Sequence, residues 1–212
     1  HDIAMIADEV ICGFGRTGRM FGSETFNIRP DTITMAKAIT SAYVPLGAVT
    51  VSEPVYQAMI DESTKIGVFA HGFTYSGHPV AAAVAVKALE IYERIDIVGH
   101  VQATAPVFQL RLRALASHPL VGEARGVGLI GGLELVKDKK ARTSFEPKLG
   151  VGAKVVAFAQ EEGLICRAVA GDTIALCPPL VIDGAGCNQM FDAIAKALDR
   201  AHAWAKKEGH LA

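Results

Sequence analysis

The chain has 212 residues, 50% of them hydrophobic and 20% charged, a composition that excludes a disordered protein. Its 21 Lys and Arg against 22 Asp and Glu give a formal net charge of −1, so no basic excess is present to hold a nucleic-acid backbone or an anionic membrane. Neither partner is expected.

Mean hydropathy is +0.30, yet the apolar runs are short. The run that starts at Val80 stops at Lys87, far below the ~18 residues of a spanning helix. The opening residues lack the basic start and apolar core of a signal peptide. The four cysteines, Cys12, Cys166, Cys177 and Cys187, form no C-x-x-C pair and sit mostly in apolar company. Buried, reduced thiols and a cytoplasmic location are expected. His1 leads at once into an apolar stretch, which predicts a piece of a longer protein.

In chain order, residues 3–7 predict a buried strand closed by Asp8, residues 32–35 a second strand and residues 47–51 a third. Continuous apolar runs of this kind suit a sheet covered on both faces. Residues 54–61 predict a short helix with Pro54 in its first turn, and Pro79 opens a long Ala/Val/Leu-rich helix to Arg94. Residues 98–117 read as a helix with Arg111 and Arg113 exposed, and residues 127–136 as a strand. A charged loop spans 137–150, and a helix over 151–162 is capped by Gly163. Short strands at 164–169 and 173–177, joined by Ala-Gly-Asp, precede an amphipathic helix over 188–207. The expected fold is α/β. An N-terminal sheet domain gives way near residues 95–105 to an α+β domain, with boundaries of 1–100 and 101–212.

Two segments match G-x-G-x-x-G, one from Gly13 to Gly18 and one from Gly126 to Gly131. A dinucleotide site needs a strand, the glycine turn and then a helix facing the pyrophosphate. Asp8 and Glu9 ahead of the first motif would repel a phosphate, and the second runs into another strand pattern. Both are expected to be tight turns. The seven histidines show no ligand spacing, and no metal is expected.

The stronger constellation is an acid and a lysine at the ends of two apolar strands. Asp8 closes the first and Lys37 closes the second. Ligands of open α/β sheets bind outside the carboxyl ends of the strands. A lysine in apolar company there can act as an amine nucleophile, and a carboxylate can hold a protonated ring nitrogen. A pyridoxal phosphate enzyme needs that pair. A salt bridge or a solvated sheet edge uses the same two residue types.

The wording of three segments is more specific. Ala7-Asp8-Glu9-Val10-Ile11-Cys12-Gly13-Phe14-Gly15-Arg16-Thr17-Gly18 resembles the signature of class III aminotransferases, which are fold-type I pyridoxal phosphate enzymes. Residues 30–37 (PDTITMAK) with 44–48 (VPLGA) resemble that family's lysine segment, and residues 71–79 (HGFTYSGHP) its next block. The similarity continues through Arg125 to Leu129 and Leu164 to Arg167.

The resemblance implies the C-terminal part of a mostly parallel cofactor domain followed by a small α+β domain. It implies that Lys37 carries pyridoxal 5′-phosphate as a Schiff base and shuttles the substrate proton. Asp8 holds the pyridine nitrogen protonated and Val10 packs on the ring. Thr74 donates to the cofactor phosphate from a Phe73–Tyr75 segment that reaches in from a neighbouring subunit, which implies a homodimer or a tetramer. In the ω-amino acid or amine:pyruvate branch, an arginine at the position of Arg167 binds the substrate carboxylate. Arg16 is expected to be a structural turn residue. The implied activity is transfer of an amino group from an ω-amino acid or amine to pyruvate or another 2-oxo acid. The alternatives are another class III activity such as an aminomutase, or a non-catalytic module on the same fold. The resemblance also implies that the phosphate-binding Gly-Ser turn, the stacked aromatic residue and most of the substrate pocket belong to sequence ahead of His1. The family usually has glycine after the lysine; here it is Ala38. Alanine serves if that glycine only makes space, and fails if it supplies a backbone conformation.

Overall fold

A computed structural model describes residues 3–169 and 171–211. The chain start at His1 and Ala170 of the Ala-Gly-Asp connection lie outside the described residues. The chain divides into two compact units, one up to Gly99 and one from His100.

The first unit is built on a three-stranded sheet of β1 (Ile6–Asp8), β2 (Thr32–Met35) and β3 (Ala48–Val51), in that spatial order. β1 pairs with β2 in parallel, with Asp8 opposite Thr34. β3 runs antiparallel to β2, with Ala48 opposite Met35. β1 starts three residues later than the apolar run predicts. Ahead of it, Met5 turns its backbone to Asp31: the Met5 N–H donates to Asp31 Oδ2 at 2.8 Å, and Met5 O accepts from Asp31 N at 2.9 Å. No residue of the three strands is buried in this chain, contrary to the expected two-sided cover. Ile6 is 67% and Val49 64% exposed.

Between β1 and β2 lies a glycine-rich turn that ends in the four-residue helix α1 (Gly22–Thr25). α2 (Glu53–Ile66) is longer than expected, because its last turn is polar on the sequence yet helical until Gly67 adopts the left-handed conformation (φ 81°). It buries none of its residues within the chain, so no apolar stripe marks its length. α3 (Pro79–Arg94) matches its predicted bounds. Pro79 occupies the first turn, and His78 Nδ1 accepts the Val80 N–H.

The second unit holds the chain's main hydrophobic core. α4 (Ile97–Ala114) leads into β4 (Val121–Val127) and β5 (Ile130–Leu135), a hairpin where the sequence suggests one strand. α5 (Val151–Glu161), β6 (Arg167–Val169), β7 (Thr173–Leu176) and α6 (Gly184–Lys207) complete it. The sheet order is β4-β5-β7-β6, with every pairing antiparallel. Phe108 and Leu112 of α4, Leu133 of β5, Ile174 of β7 and Phe191 of α6 are fully buried. The Phe108 and Phe191 rings meet edge to face at 5.1 Å. Gly163 (φ 83°) caps α5 as predicted, and the Leu164 N–H closes back on Ala159 O at 2.9 Å. Arg113 is exposed as expected. Arg111 is not: its guanidinium is half-buried and bonds Asn188 Oδ1 at 2.9 Å and Asp192 Oδ1 at 2.5 Å. Cys187 is buried and Cys12 and Cys166 are half-buried, but Cys177 is exposed. Among the described residues no helix is long and apolar enough to cross a membrane.

Candidate active site

The parallel pairing of β1 and β2 puts the carboxyl ends of both strands on one edge of the sheet. Asp8 is the last residue of β1 and is exposed there. Its Oδ1 accepts the Val10 N–H at 3.0 Å, which orients the carboxylate and turns the chain away from the strand. Lys37 lies two residues beyond the carboxyl end of β2. It is exposed rather than enclosed in apolar company. With Tyr43, Pro45, Leu46 and Gly47 it lines an open cavity of about 740 Å³.

The backbone at Lys37 is unusual. Its φ is +48°, in the left-handed region that residues bearing a Cβ rarely occupy. A 3-10 turn over Lys37–Thr40 follows, and Ser41 (φ 52°) and Ala42 (φ 60°) close it. The Ala42 N–H donates to Lys37 O at 2.9 Å, and the Thr40 hydroxyl, nearly fully buried, donates to Val44 O at 2.7 Å. Ala38 does not take a positive φ. The conformation that favours glycine falls on the lysine itself, so Ala38 fits without strain.

Glu9 differs from its neighbour Asp8. Strand alternation turns it inward, where it is 3% exposed. Its carboxylate accepts the N–H groups of Gly22 at 2.8 Å and Ser23 at 2.6 Å. The Glu9 carboxylate is therefore engaged at the start of α1. Gly13 is packed so closely that a Cβ would lie 2.8 Å from Glu9 O. Phe14 (φ 65°) and Gly15 (φ 108°) reverse the chain, and the Phe14 N–H bonds Met20 O at 2.6 Å. The first glycine motif is a tight turn, as expected. The second is the β4–β5 hairpin turn. There Gln109 Nε2 donates to Gly128 O at 2.9 Å, and Gly131 leaves room for Leu112.

The other predicted site residues sit apart from this edge in sequence. Val10 is half-buried in the turn after β1. Phe73 and Thr74 belong to an exposed loop of the first unit, where the Ser76 N–H bonds Phe73 O at 2.9 Å and Ser76 Oγ accepts the Phe73 N–H at 3.0 Å. Arg167 is the first residue of the edge strand β6 in the second unit, opposite Ala175, and is exposed. Sequence reasoning missed Glu9, Thr40 and Tyr92, whose roles are visible only in the folded chain. Among the described residues no cluster of His, Cys, Asp and Glu could hold a metal ion.

The chemistry of these side chains fits pyridoxal phosphate. Asp8 offers a carboxylate for a protonated pyridine nitrogen, Lys37 an amine for the aldehyde and Thr74 a hydroxyl for the phosphate.

Comparison with known proteins agrees. The sequence model of the class III aminotransferases matches residues 1–198. Gamma aminobutyrate transaminase 1 of Solanum lycopersicum is 48% identical over 93% of this chain and 38% of its own length. Putrescine–pyruvate aminotransferase of Pseudomonas aeruginosa is 49% identical over 94% of this chain and 43% of its own. The omega transaminase of Pseudomonas jessenii, solved in complex with PMP, superposes with a TM-score of 0.90 at 43% identity, covering 96% of this chain and 45% of that one. The chain thus spans less than half the length of these relatives. Class III aminotransferases are pyridoxal phosphate enzymes of fold type I. With nearly the whole sequence matched and the fold shared, this chain belongs to the class III aminotransferase family.

Proposed function

We propose that the protein carrying this chain transfers an amino group from an ω-amino acid or amine to pyruvate or another 2-oxo acid, and that Lys37 is its catalytic lysine. The observation that carries this reading is the placement of Asp8 at, and Lys37 just past, the carboxyl ends of two adjacent parallel strands. The putrescine–pyruvate relative supports the amine:pyruvate branch, and the omega transaminase supports an ω-amino donor. The gamma aminobutyrate relatives support the ω-amino donor and leave the acceptor open between 2-oxo acids.

When bound, pyridoxal phosphate supplies an electron sink that makes a carbon–hydrogen bond beside the amino group labile. Asp8, whose carboxylate the Val10 N–H holds in place, would keep a proton on the ring nitrogen. Val10 and Phe73 would help to hold the cofactor, and the Thr74 hydroxyl would donate to its phosphate. Lys37 would hold the cofactor through its amine, and the same Nζ, when free of it, would carry the proton of the substrate carbon. The left-handed backbone at Lys37 sets the direction in which Nζ leaves the sheet edge. Arg167 pairs with the substrate carboxylate through its planar guanidinium.

The remaining assignments belong to the same proposal. Residues 1–100 contribute to the cofactor domain and 101–212 form the small domain. The enzyme is a cytoplasmic homodimer, or a tetramer built from it. Exposure of Phe73 (79%) and Tyr75 (80%) supports a loop that a partner subunit covers.

The test is spectroscopic. The full-length protein with cofactor absorbs in the visible, and Lys37→Ala abolishes both that band and turnover; an unchanged rate in this variant overturns the proposal. A panel of amino donors against pyruvate and 2-oxoglutarate tests the branch. Activity with 2-oxoglutarate alone removes the pyruvate assignment.

A further inference from the structure

The left-handed backbone at Lys37 costs free energy, and the segment that holds it is closed mostly by its own short-range hydrogen bonds. The Ala42 N–H to Lys37 O bond and the Thr40 to Val44 bond both lie within residues 37–44. Bonds of that range move with the segment and cannot fix it to the rest of the fold. The turn also packs against α3, and from that helix a hydrogen bond reaches it. Tyr92, in the last turn of α3 and 54 residues from its partner, donates its hydroxyl to the Ala38 carbonyl at 2.7 Å. Its side chain is buried, and it reaches the carbonyl of the residue that follows Lys37. A buried tyrosine needs such a partner, and a carbonyl held at that distance fixes the rotation of the backbone next to the lysine.

We propose that Tyr92 is a positioning residue for Lys37. By tying Ala38 to α3, it holds the Lys37 backbone left-handed and so fixes the direction of the amine. Without the hydroxyl, the turn is free to relax toward right-handed geometry, and Nζ moves relative to Asp8. The effect falls on a group that moves a proton, so it changes kcat and leaves KM nearly unaltered. This inference rests on the assignment of Lys37 as the catalytic lysine.

The experiment is Tyr92→Phe in the full-length protein loaded with pyridoxal phosphate. The ring stays to fill its place, and only the hydrogen bond goes. Three quantities are read: steady-state kcat and KM, the pH midpoint of the visible cofactor band, and the thermal midpoint. The expected result is a fall in kcat of about tenfold, the size of one hydrogen bond lost from a positioned group. KM stays within about twofold, and the pH midpoint of the band moves. A lower thermal midpoint with kcat and the band unchanged overturns the inference, because Tyr92 is then only a packing and stability contact. Lys37→Ala run in parallel separates the two readings. If it abolishes the band while Tyr92→Phe changes nothing, the positioning role alone is wrong. If it leaves turnover intact, the lysine assignment fails, and the inference with it.

Discussion

Replacing Glu9 tests whether the strand edge that bears Asp8 is held by a buried acid. Glu9 is 3% exposed and accepts two backbone N–H bonds, from Gly22 at 2.8 Å and Ser23 at 2.6 Å. Hydrogen bonds to a charged partner contribute about 1.5–3 kcal/mol each, and buried donors left bare lose that and more. Glu9→Ala removes both acceptors and is expected to cost about 3–6 kcal/mol locally. Glu9→Gln keeps one carbonyl oxygen but aims an amide NH₂ at the other donor, so about half that cost is expected. Gly13 packs against the Glu9 backbone and side chain, so the loss spreads into the turn that follows Val10. Amide hydrogen exchange reads this at single residues in the full-length protein. Protection at the Gly22 and Ser23 amides should fall at least about 100-fold in Glu9→Ala, and by an intermediate amount in Glu9→Gln. Protection within about threefold of the unaltered protein in both variants would show that these N–H groups find other partners, and the reasoning would fail.

His118 is mostly buried, and burial pushes its imidazole below the usual 6.5. Nearby His202 and Lys139 add to that, and Asp199, 3.4 Å from Nε2, opposes it. The unfolded chain therefore binds the extra proton first, so this group's contribution to stability is complete above pH 6.5 and is lost as the pH falls below it. Urea midpoints measured down to about pH 5 should fall less steeply in His118→Asn, whose amide oxygen can still accept the Leu120 N–H that His118 Nδ1 holds at 3.1 Å. Gly131→Ala would put a Cβ 2.6 Å from Leu112 Cδ2 and 3.3 Å from Phe108 Cε1, both fully buried, and should destabilise by about 1–3 kcal/mol in denaturant unfolding. Gly132→Ala, which meets only Thr173 Cγ2 at 3.3 Å, should cost less than about 1 kcal/mol. On the proposed role of Arg167, Arg167→Leu should raise KM at least about tenfold for donors with a carboxylate and leave simple amines nearly unaffected. Equal losses for both kinds of donor would remove that role.

What the sequence made legible follows from where physical constraint is local. β2 and α3 match their predicted bounds because an apolar run ending in a turn, and a Pro79 start, carry their own boundaries. β4 was not legible. Its residues Gly122, Glu123, Arg125 and Gly126 are exposed and give no alternation, and the hairpin turn holds the buried Leu129 where a polar turn residue is usual. The Asp8–Glu9 pair was half legible. Both acids stand at one strand end, but only the pleat sends one outward and the other to the N–H groups of Gly22 and Ser23.

Ala38 shows the same limit from the opposite side. A family pattern with glycine after the lysine raises the question of whether alanine can serve, and the one-letter sequence cannot say which residue of the turn bears the left-handed conformation. In the folded chain Lys37, Ser41 and Ala42 bear it, and Ala38 does not. The carbonyl of Ala38 instead receives the Tyr92 hydroxyl, from a helix 54 residues away in sequence. Residues proposed to hold the cofactor can be read from short motifs, because the chemistry demands those residue types. The residues that hold them in place are joined only by the fold. Many side chains could do that holding, so no motif announces the ones that do.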